Sequence, residues 1–426
     1  MENTTPPNPS VIEFSDADLD VNSKPHKKSG KKSKKPRKPL TKKQKIIIIV
    51  TAAVLCLLMI GSAILLYTLA QKQLEREESA KSEPIYSILT GENIESEELN
   101  KSPTFCVQTP NGMDGARPQV GLNQAGVVFE AIAEAGITRF AAIYQNPTSS
   151  VIGPIRSLRT YYLEWDTPFD CTIVHAGGSA EAIAAVSKGG YRDLTESTEY
   201  MWRDSSGYHA PNNLFTSPEL LKKFNDSKGY ETSTLTAFPR LTPVAALDAV
   251  DANYAAAHPE EATSDDANSD SEASPAEAIP LVETIHVNFG SQPNFNTVYT
   301  YNYESNSYLR SYASGAAHMV YTCPNDLTGE VKPQKDCGEP SQVAPKAIAV
   351  MRVNESTASD NYHQNITTVG SGEAIIFQNG QAIKGTWKKT AVKDQIKFTD
   401  ESGKDIAFTP GQLWIAAVPQ FGSVEY

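Results

Sequence analysis

No Cys-x-x-Cys pair, no His-Glu-x-x-His and no other close His/acid spacing that suggests zinc occurs in these 426 residues. That excludes a zinc ribbon, a dithiol redox site and the common zinc hydrolases, whose ligands come at short fixed spacings. The G-x-x-x-x-G-K-[ST] phosphate loop and the G-x-S-x-G nucleophile elbow are missing too. Internal repeats of 20–50 residues are likewise absent. Nothing here implies a metal or a cofactor. Two further absences carry more: residues 24–45 hold twelve Lys/Arg and no acid, and residues 46–69 hold no charge of either sign.

The uncharged run is 24 residues, about 36 Å as a helix, against roughly 30 Å of bilayer hydrocarbon. Only a helix takes a single open strand of chain through lipid, because each backbone N–H and C=O must pair internally. Residues 46–70 are therefore expected to be one transmembrane helix. Lysines precede it and acids follow it, which puts the N-terminus in the cytoplasm and the bulk of the chain outside. A cleaved signal peptide would have a shorter apolar region. Cys56 follows Ala53-Val54-Leu55, with Leu where a lipid-attachment motif takes Gly or Ala. Residues 1–45 carry net +7 and should be disordered; with −12 for the whole chain, −19 is left for the remainder. An acidic exterior argues against nucleic acid as a partner there.

Four of the five cysteines, Cys106, Cys171, Cys323 and Cys337, fall in the external part. An even number in an oxidising compartment is compatible with two disulfides. Cys323–Cys337 would close a Pro/Gly-rich loop, and Cys106–Cys171 follows by elimination. The expected order is a stalk and linker over 71–101, a first folded part over 102–244, an acidic flexible linker over 245–280 and a second folded part over 281–426.

The fold class is read as α+β, a mixed α/β N-terminal half and a β-rich C-terminal half behind the membrane helix. Residues 127–144 read as two strands turning at Ala135-Gly136, with a helix over 123–135 as the alternative. Gly153-Pro154 should open a helix over 155–165, since Pro suits the first helical position. Residues 171–175 form a short buried strand, and a glycine turn leads into a helix over 180–188. In the second half, Asn379-Gly380 between apolar runs is a strong hairpin signal. Strands are expected also at 298–303, 308–312 and 413–418.

Several motifs together resemble the YerB family: Gly136-Ile137-Thr138-Arg139-Phe140, Gly153-Pro154-Ile155-Arg156-Ser157-Leu158-Arg159, His175-Ala176-Gly177-Gly178-Ser179 and His209-Ala210-Pro211-Asn212-Asn213-Leu214. The second half adds Tyr308-Leu309-Arg310 with Gly315 and His318, Gly370-Ser371-Gly372, Gly385-Thr386-Trp387-Lys388-Lys389 and Pro410-Gly411-Gln412-Leu413-Trp414-Ile415. The likeness covers nearly all of residues 101–426. That family comprises bacterial extracytoplasmic lipoproteins and membrane-anchored proteins with a two-part region of unassigned function. The resemblance implies an envelope protein and no particular reaction. This chain departs from it in using a membrane helix where many members carry a lipid, and in its long acidic linker.

Between residues 102 and 215 there are six arginines and one lysine, and arginine grips carboxylate or phosphate through paired hydrogen bonds. Arg139 lies in an apolar strand, where an unpaired charge is costly. Arg156 and Arg159 would share a helix face. These three are expected to line a cleft for an anionic group; the structural alternative is ion pairing with Glu130, Glu164 and Asp170. The His175, Gly177, Gly178, Ser179 turn exposes backbone N–H groups at a helix start. Ser179 as a helix cap is the plain alternative, and Glu181 opposes an anion there. Arg203, His209, Asn212 and Asn213 fall in a turn-rich stretch where polar groups can converge. A serine-hydrolase reading would take Ser179 as nucleophile with His175 or His209 as base. His318 and His363 stand alone, and Trp387 and Trp414 are read as core rather than as sugar platforms.

The expected function is a membrane-anchored extracytoplasmic binding module with an Arg/His-lined cleft for an anionic wall or envelope component. The alternatives are an envelope hydrolase or transferase using His175 or His209 as acid/base, and a scaffold that binds an envelope protein through an exposed apolar patch.

Overall fold

A computed structural model describes residues 83–258, 280–290, 292–327 and 331–426, together with Tyr67. The basic tail, the expected transmembrane helix apart from Tyr67, residues 71–82 and residues 259–279 of the acidic linker lie outside these. Among the described residues no helix is long and apolar enough to cross a membrane.

The centre is one ten-stranded sheet. Its strands in chain order are β1 (Thr104–Pro110), β2 (Val127–Glu134), β3 (Ile137–Gln145), β4 (Thr172–His175), β5 (Arg192–Thr195), β6 (Ala347–Val353), β7 (Gly370–Gln378), β8 (Gln381–Lys389), β9 (Lys397–Asp400) and β10 (Leu413–Pro419). They lie side by side as β9-β8-β7-β6-β10-β2-β3-β1-β4-β5. Strand β10 is parallel to both neighbours, with Ala347 opposite Leu413 and Leu413 opposite Val127. The stretches 102–244 and 281–426 thus meet inside one sheet, edge to edge through β10 and β2.

Strands with both faces covered read as continuous apolar runs rather than alternating ones, which is how Val127–Glu134 and Leu413–Pro419 read. One face carries Val127, Phe129, Ala141, Ile143, Ala349 and Ile415 against helix α1 (Thr160–Asp166), helix α2 (Ala180–Ser187), Phe238 and Phe408. The other carries Val128, Phe140, Ile348 and Trp414 against helix α3 (Pro218–Lys228) and a second, four-stranded sheet. That sheet orders Ser307–Tyr312, Thr297–Asn302, Thr284–Asn288 and Ser423–Glu425. Both disulfides form, Cys106 with Cys171 and Cys323 with Cys337.

Both expected hairpins use paired residues with positive φ: Ala135 and Gly136 at 48° and 77°, Asn379 and Gly380 at 53° and 74°. That is the mirror-image turn whose twist matches the flanking strands.

Three expectations need correcting. The residues expected to open a helix at 155 are extended until α1 starts at Thr160. Their donors are taken by neighbouring chain: Ile155 N–H bonds Leu214 O at 2.8 Å, Arg156 N–H bonds Gln108 O at 2.7 Å and Leu158 N–H bonds Gly177 O at 2.9 Å. The linker expected up to residue 101 packs on the main body from its first described residues. Leu89 is 1% exposed, and half-buried Arg240 gives Nη2 hydrogen bonds to Leu89 O and Gly126 O. The stretch expected to become a flexible linker at 245 is helical, α4 (Pro243–Ala257), with Asn253 bonded to Asn379 O.

Candidate functional site

The parallel pairings send the carboxyl ends of β1, β2, β4, β6 and β10 to one edge of the sheet. Ligand sites of open mixed sheets favour that edge, where side chains leave the layer. Glu134 ends β2 there. A register shift between Ile132 and Glu134 breaks the strict alternation. Glu130 stays on the face of Val128 and Trp414, and Glu134 turns to the opposite face, where Arg139 of β3 points. A bulge re-aims one side chain in this way.

Glu134 is shared by two arginines. Its Oε1 accepts from Arg139 Nη2 and its Oε2 from Arg159 Nη2, each at 2.5 Å. Arg139 Nη1 also bonds Ser157 O, and Arg159 Nη1 bonds Leu158 O. All three side chains are buried. Burial alone would raise the Glu134 carboxyl; Arg139 and Arg159, helped by Arg156, hold it below its ordinary value. Burial weakens the hold of Arg139 on its proton, and Glu134 opposes that. On α1, Tyr161 Oη bonds Ile132 O and Tyr162 Oη bonds Arg139 O, which pins the ends of β2 and β3.

Arg156 differs from its neighbours. It is half-buried and its guanidinium pairs with no acid among the described residues, although the Nε atoms of all three arginines are buried without a hydrogen-bond partner. Two guanidinium groups share one carboxylate and a third, Arg156, adds its charge nearby, leaving a donor fork with excess positive charge. Carboxylate and phosphate oxygens complement such a fork. His363 pairs through its backbone with Glu134, and its Nδ1 faces Asp360 Oδ2 at 2.5 Å.

The glycine turn stands beside this cluster. Ala176 N–H bonds Arg156 O, and the 156–158 segment pairs with 176–178. A Cβ on Gly178 would press to 3.0 Å on Leu158 O, so the close approach of the two segments explains that glycine. Ser179 caps α2 by accepting from Ala182 N–H at 3.3 Å, and its own N–H goes to Leu158 O. Both ring nitrogens of buried His175 are engaged, Nδ1 with Gly177 O and Nε2 with Asp193 Oδ1, each at 2.7 Å.

The loop residues hold a different set of partners. Arg203 pairs with Glu196 at 2.6 Å and bonds Asn213 Oδ1; Asn213 bonds Asp204 O; Asn212 bonds Asp114 Oδ1. His209 is exposed. Trp387 and Trp414 are core, with Nε1 on Arg352 O and Glu130 Oε2.

On the opposite face a second charged cluster is closed off completely. Arg310 Nη2 donates to both carboxylate oxygens of Glu130, each at 2.9 Å, and both side chains are 0% exposed. Arg310 Nη1 donates to His318 Nδ1, so His318 Nε2–H donates to Gln119 Oε1. Burial, with Arg310 and Arg117 nearby, pushes His318 well below its usual value and keeps the ring neutral. Burial disfavours charge on Arg310, yet Glu130 raises it. The arrangement joins the two halves of the sequence.

Residues 89–231 match the N-terminal domain, and residues 285–415 the C-terminal domain, of a family described as "Protein of unknown function (DUF3048)". The chain belongs to the DUF3048 family. It is 27% identical over 339 residues to a Bacillus subtilis (strain 168) protein named "Putative lipoprotein YerB", covering 78% of this chain and 85% of that one. The crystal structure of the Bacillus subtilis YerB protein has the same fold, with a TM-score of 0.60 at 24% identity over 80% of this chain and 100% of that one. DUF3048 membership accounts for the YerB-like motifs. In this structure those motifs supply Arg139, Arg156 and Arg159 on one face of the sheet and Arg310, His318 and Trp414 on the other. Reading the sequence missed Glu134 and dismissed His363. Neither sits in a recognisable motif; Glu134 is marked only by being an acid at the end of an apolar strand.

Proposed function

We propose that this chain is a membrane-anchored, extracytoplasmic envelope protein that binds an anionic envelope component at the edge formed by Arg139, Arg156 and Arg159. The name of the Bacillus relative, a lipoprotein in its wording, supports an envelope location, and the uncharged run at 46–69 behind a lysine block supports a single-pass anchor. The observation that carries the binding role is Arg156, a half-buried guanidinium with no acid partner among the described residues, next to an ion pair already rich in positive charge. Arg139 and Arg159 hold the frame through Glu134, and Arg156 is the group left to meet the ligand. His175 belongs to the frame as well, since both its nitrogens are engaged.

Titration of the full chain with phosphate-bearing and carboxylate-bearing wall fragments tests this. Wild type should bind one of the two classes with an affinity that falls as salt rises, and Arg156→Gln should weaken it about 10-fold or more, the scale of one charge-assisted bidentate contact. Equal affinity of the two folded proteins removes Arg156 from the role. Protease added to intact spheroplasts should digest residues beyond 83; full protection would remove the extracytoplasmic placement.

A further inference from the structure

Away from the arginine edge, the segment after β3, residues 198–202 and the first turn of α3 enclose a cleft of about 480 Å³. That is within the usual range for small-molecule sites, roughly 300–1,000 Å³. Trp202 forms part of its wall, half-buried, with its ring tilted against Phe215 at 6.3 Å. The other three tryptophans, Trp165, Trp387 and Trp414, are core residues. Two polar atoms at this wall, Trp202 Nε1 and Ser150 Oγ, are buried without a hydrogen-bond partner among the described residues. Glu199, Glu219 and Asn325 line the same cleft. Glu199 pairs with Lys223 at 3.3 Å, and Glu219 makes no ion pair with any described residue. Among the residues lining the cleft none is Arg or Lys.

An indole wall, two carboxylates, an amide and spare hydroxyl and N–H donors suit a ligand that is apolar on its faces and rich in hydroxyls at its edges. The carboxylates disfavour an anion. We infer that this cleft is a subsite for an uncharged sugar ring, stacked on Trp202 and hydrogen-bonded through its hydroxyls to Glu199, Glu219 and Asn325. The inference deepens the proposed function, since it rests on the ligand being an envelope polymer; it assigns that polymer neutral sugar units in addition to the anionic groups met by Arg156.

The test is titration of the full chain with N,N′-diacetylchitobiose, followed by tryptophan fluorescence and by calorimetry. Wild type should bind saturably with a Kd of about 1 mM, a weak-ligand value, and its emission should shift because Trp202 is the partly exposed indole. Trp202→Ala should weaken binding about 10-fold by calorimetry, the scale of one lost aromatic contact. Trp202→Phe should keep most of the affinity. Glu219→Gln, on the surface of α3, should weaken binding with an unchanged melting temperature, and Arg156→Gln should leave it unchanged. No binding at about 10 mM, a concentration that would half-saturate even a very weak site, would overturn the subsite. So would equal affinity of wild type and Glu219→Gln, or loss on Arg156→Gln alone. Equal anion affinity of wild type and Arg156→Gln, with chitobiose binding intact, would sink only the anionic part.

Discussion

At the residue scale, Glu134 decides whether the arginine edge can exist. Among the described residues it is the one carboxylate bonded to two buried guanidinium groups. Removing one partner of a buried pair leaves an uncompensated charge, worth about 3–5 kcal/mol. Glu134→Gln should therefore destabilise the fold by roughly that amount in urea unfolding at neutral pH. The sign with pH follows from its lowered carboxyl. The stabilisation is present above the unfolded carboxyl's pKa and is lost as pH falls through the folded one. The gap between wild type and Glu134→Gln should thus narrow in acid; a constant gap from neutral to acid pH would contradict the assignment.

Asp166 behaves in the opposite sense. It is fully buried, Gln108 Nε2 bonds its Oδ2 at 2.9 Å, and its Oδ1 has no partner among the described residues. Burial raises this carboxyl well above its usual value, with Gln108 opposing. Its contribution is complete below the unfolded pKa and is lost as pH rises through the folded one. Asp166→Asn should gain in melting temperature over wild type as pH goes from about 4, near the unfolded pKa, to 7. A gain independent of pH would show that ionisation is not involved. The sequence made Arg139 legible, because a charge inside an apolar strand must find a partner. It did not disclose that partner: Glu130 and Glu134 lie on the same apolar strand, and only the bulge between Ile132 and Glu134 sends them to opposite faces.

At the scale of elements, periodicity identified the hairpins, because Ala135-Gly136 and Asn379-Gly380 carry their turn geometry locally. It failed at residues 155–158. Pro154 and the Arg156/Arg159 spacing favour a helix, but Gln108, Leu214 and Gly177 take the backbone hydrogen bonds of that segment, and no local signal announces partners that distant. The segment read as a linker before residue 101 failed for the same reason. Its anchor is Arg240, half-buried, with Nη1 on Thr409 O and Gly411 O and Nη2 on Leu89 O. Burial of the guanidinium lowers Arg240 to about 10, with Glu92 opposing. Hydrogen bonds from a charged donor are worth about 1.5–3 kcal/mol each. Arg240→Ala should free residues 83–101, so that limited proteolysis cuts there at enzyme levels that leave wild type whole. Unchanged cleavage would mean that Leu89 and Asn100 hold the segment unaided.

At the scale of the whole molecule, composition and motifs gave a correct α+β class with a β-rich second half, but the junction of the halves was out of reach. Parallel pairing of β10 with β2 joins residues almost three hundred positions apart, and no hairpin or short crossover marks it. The Glu130–Arg310–His318 cluster and the Trp414–Glu130 bond close that junction with buried, fully paired groups. A sheet shared in this way should unfold as one unit. Urea transitions followed at Trp165 and at Trp387 should coincide; two separated midpoints would mean that the halves are independent.

The central claim is that Arg156 receives an anion, and its Nε–H is the group to watch. In the free full-length protein the Arg156 Nε resonance, assigned by its loss in Arg156→Gln, should exchange more readily than those of Arg139 and Arg159, whose guanidinium groups are held by Glu134. A saturating phosphate- or carboxylate-bearing wall fragment should shift that resonance and slow its exchange, while the Arg139 and Arg159 signals stay nearly in place. A fragment that binds and leaves the Arg156 signal unmoved would contradict the account.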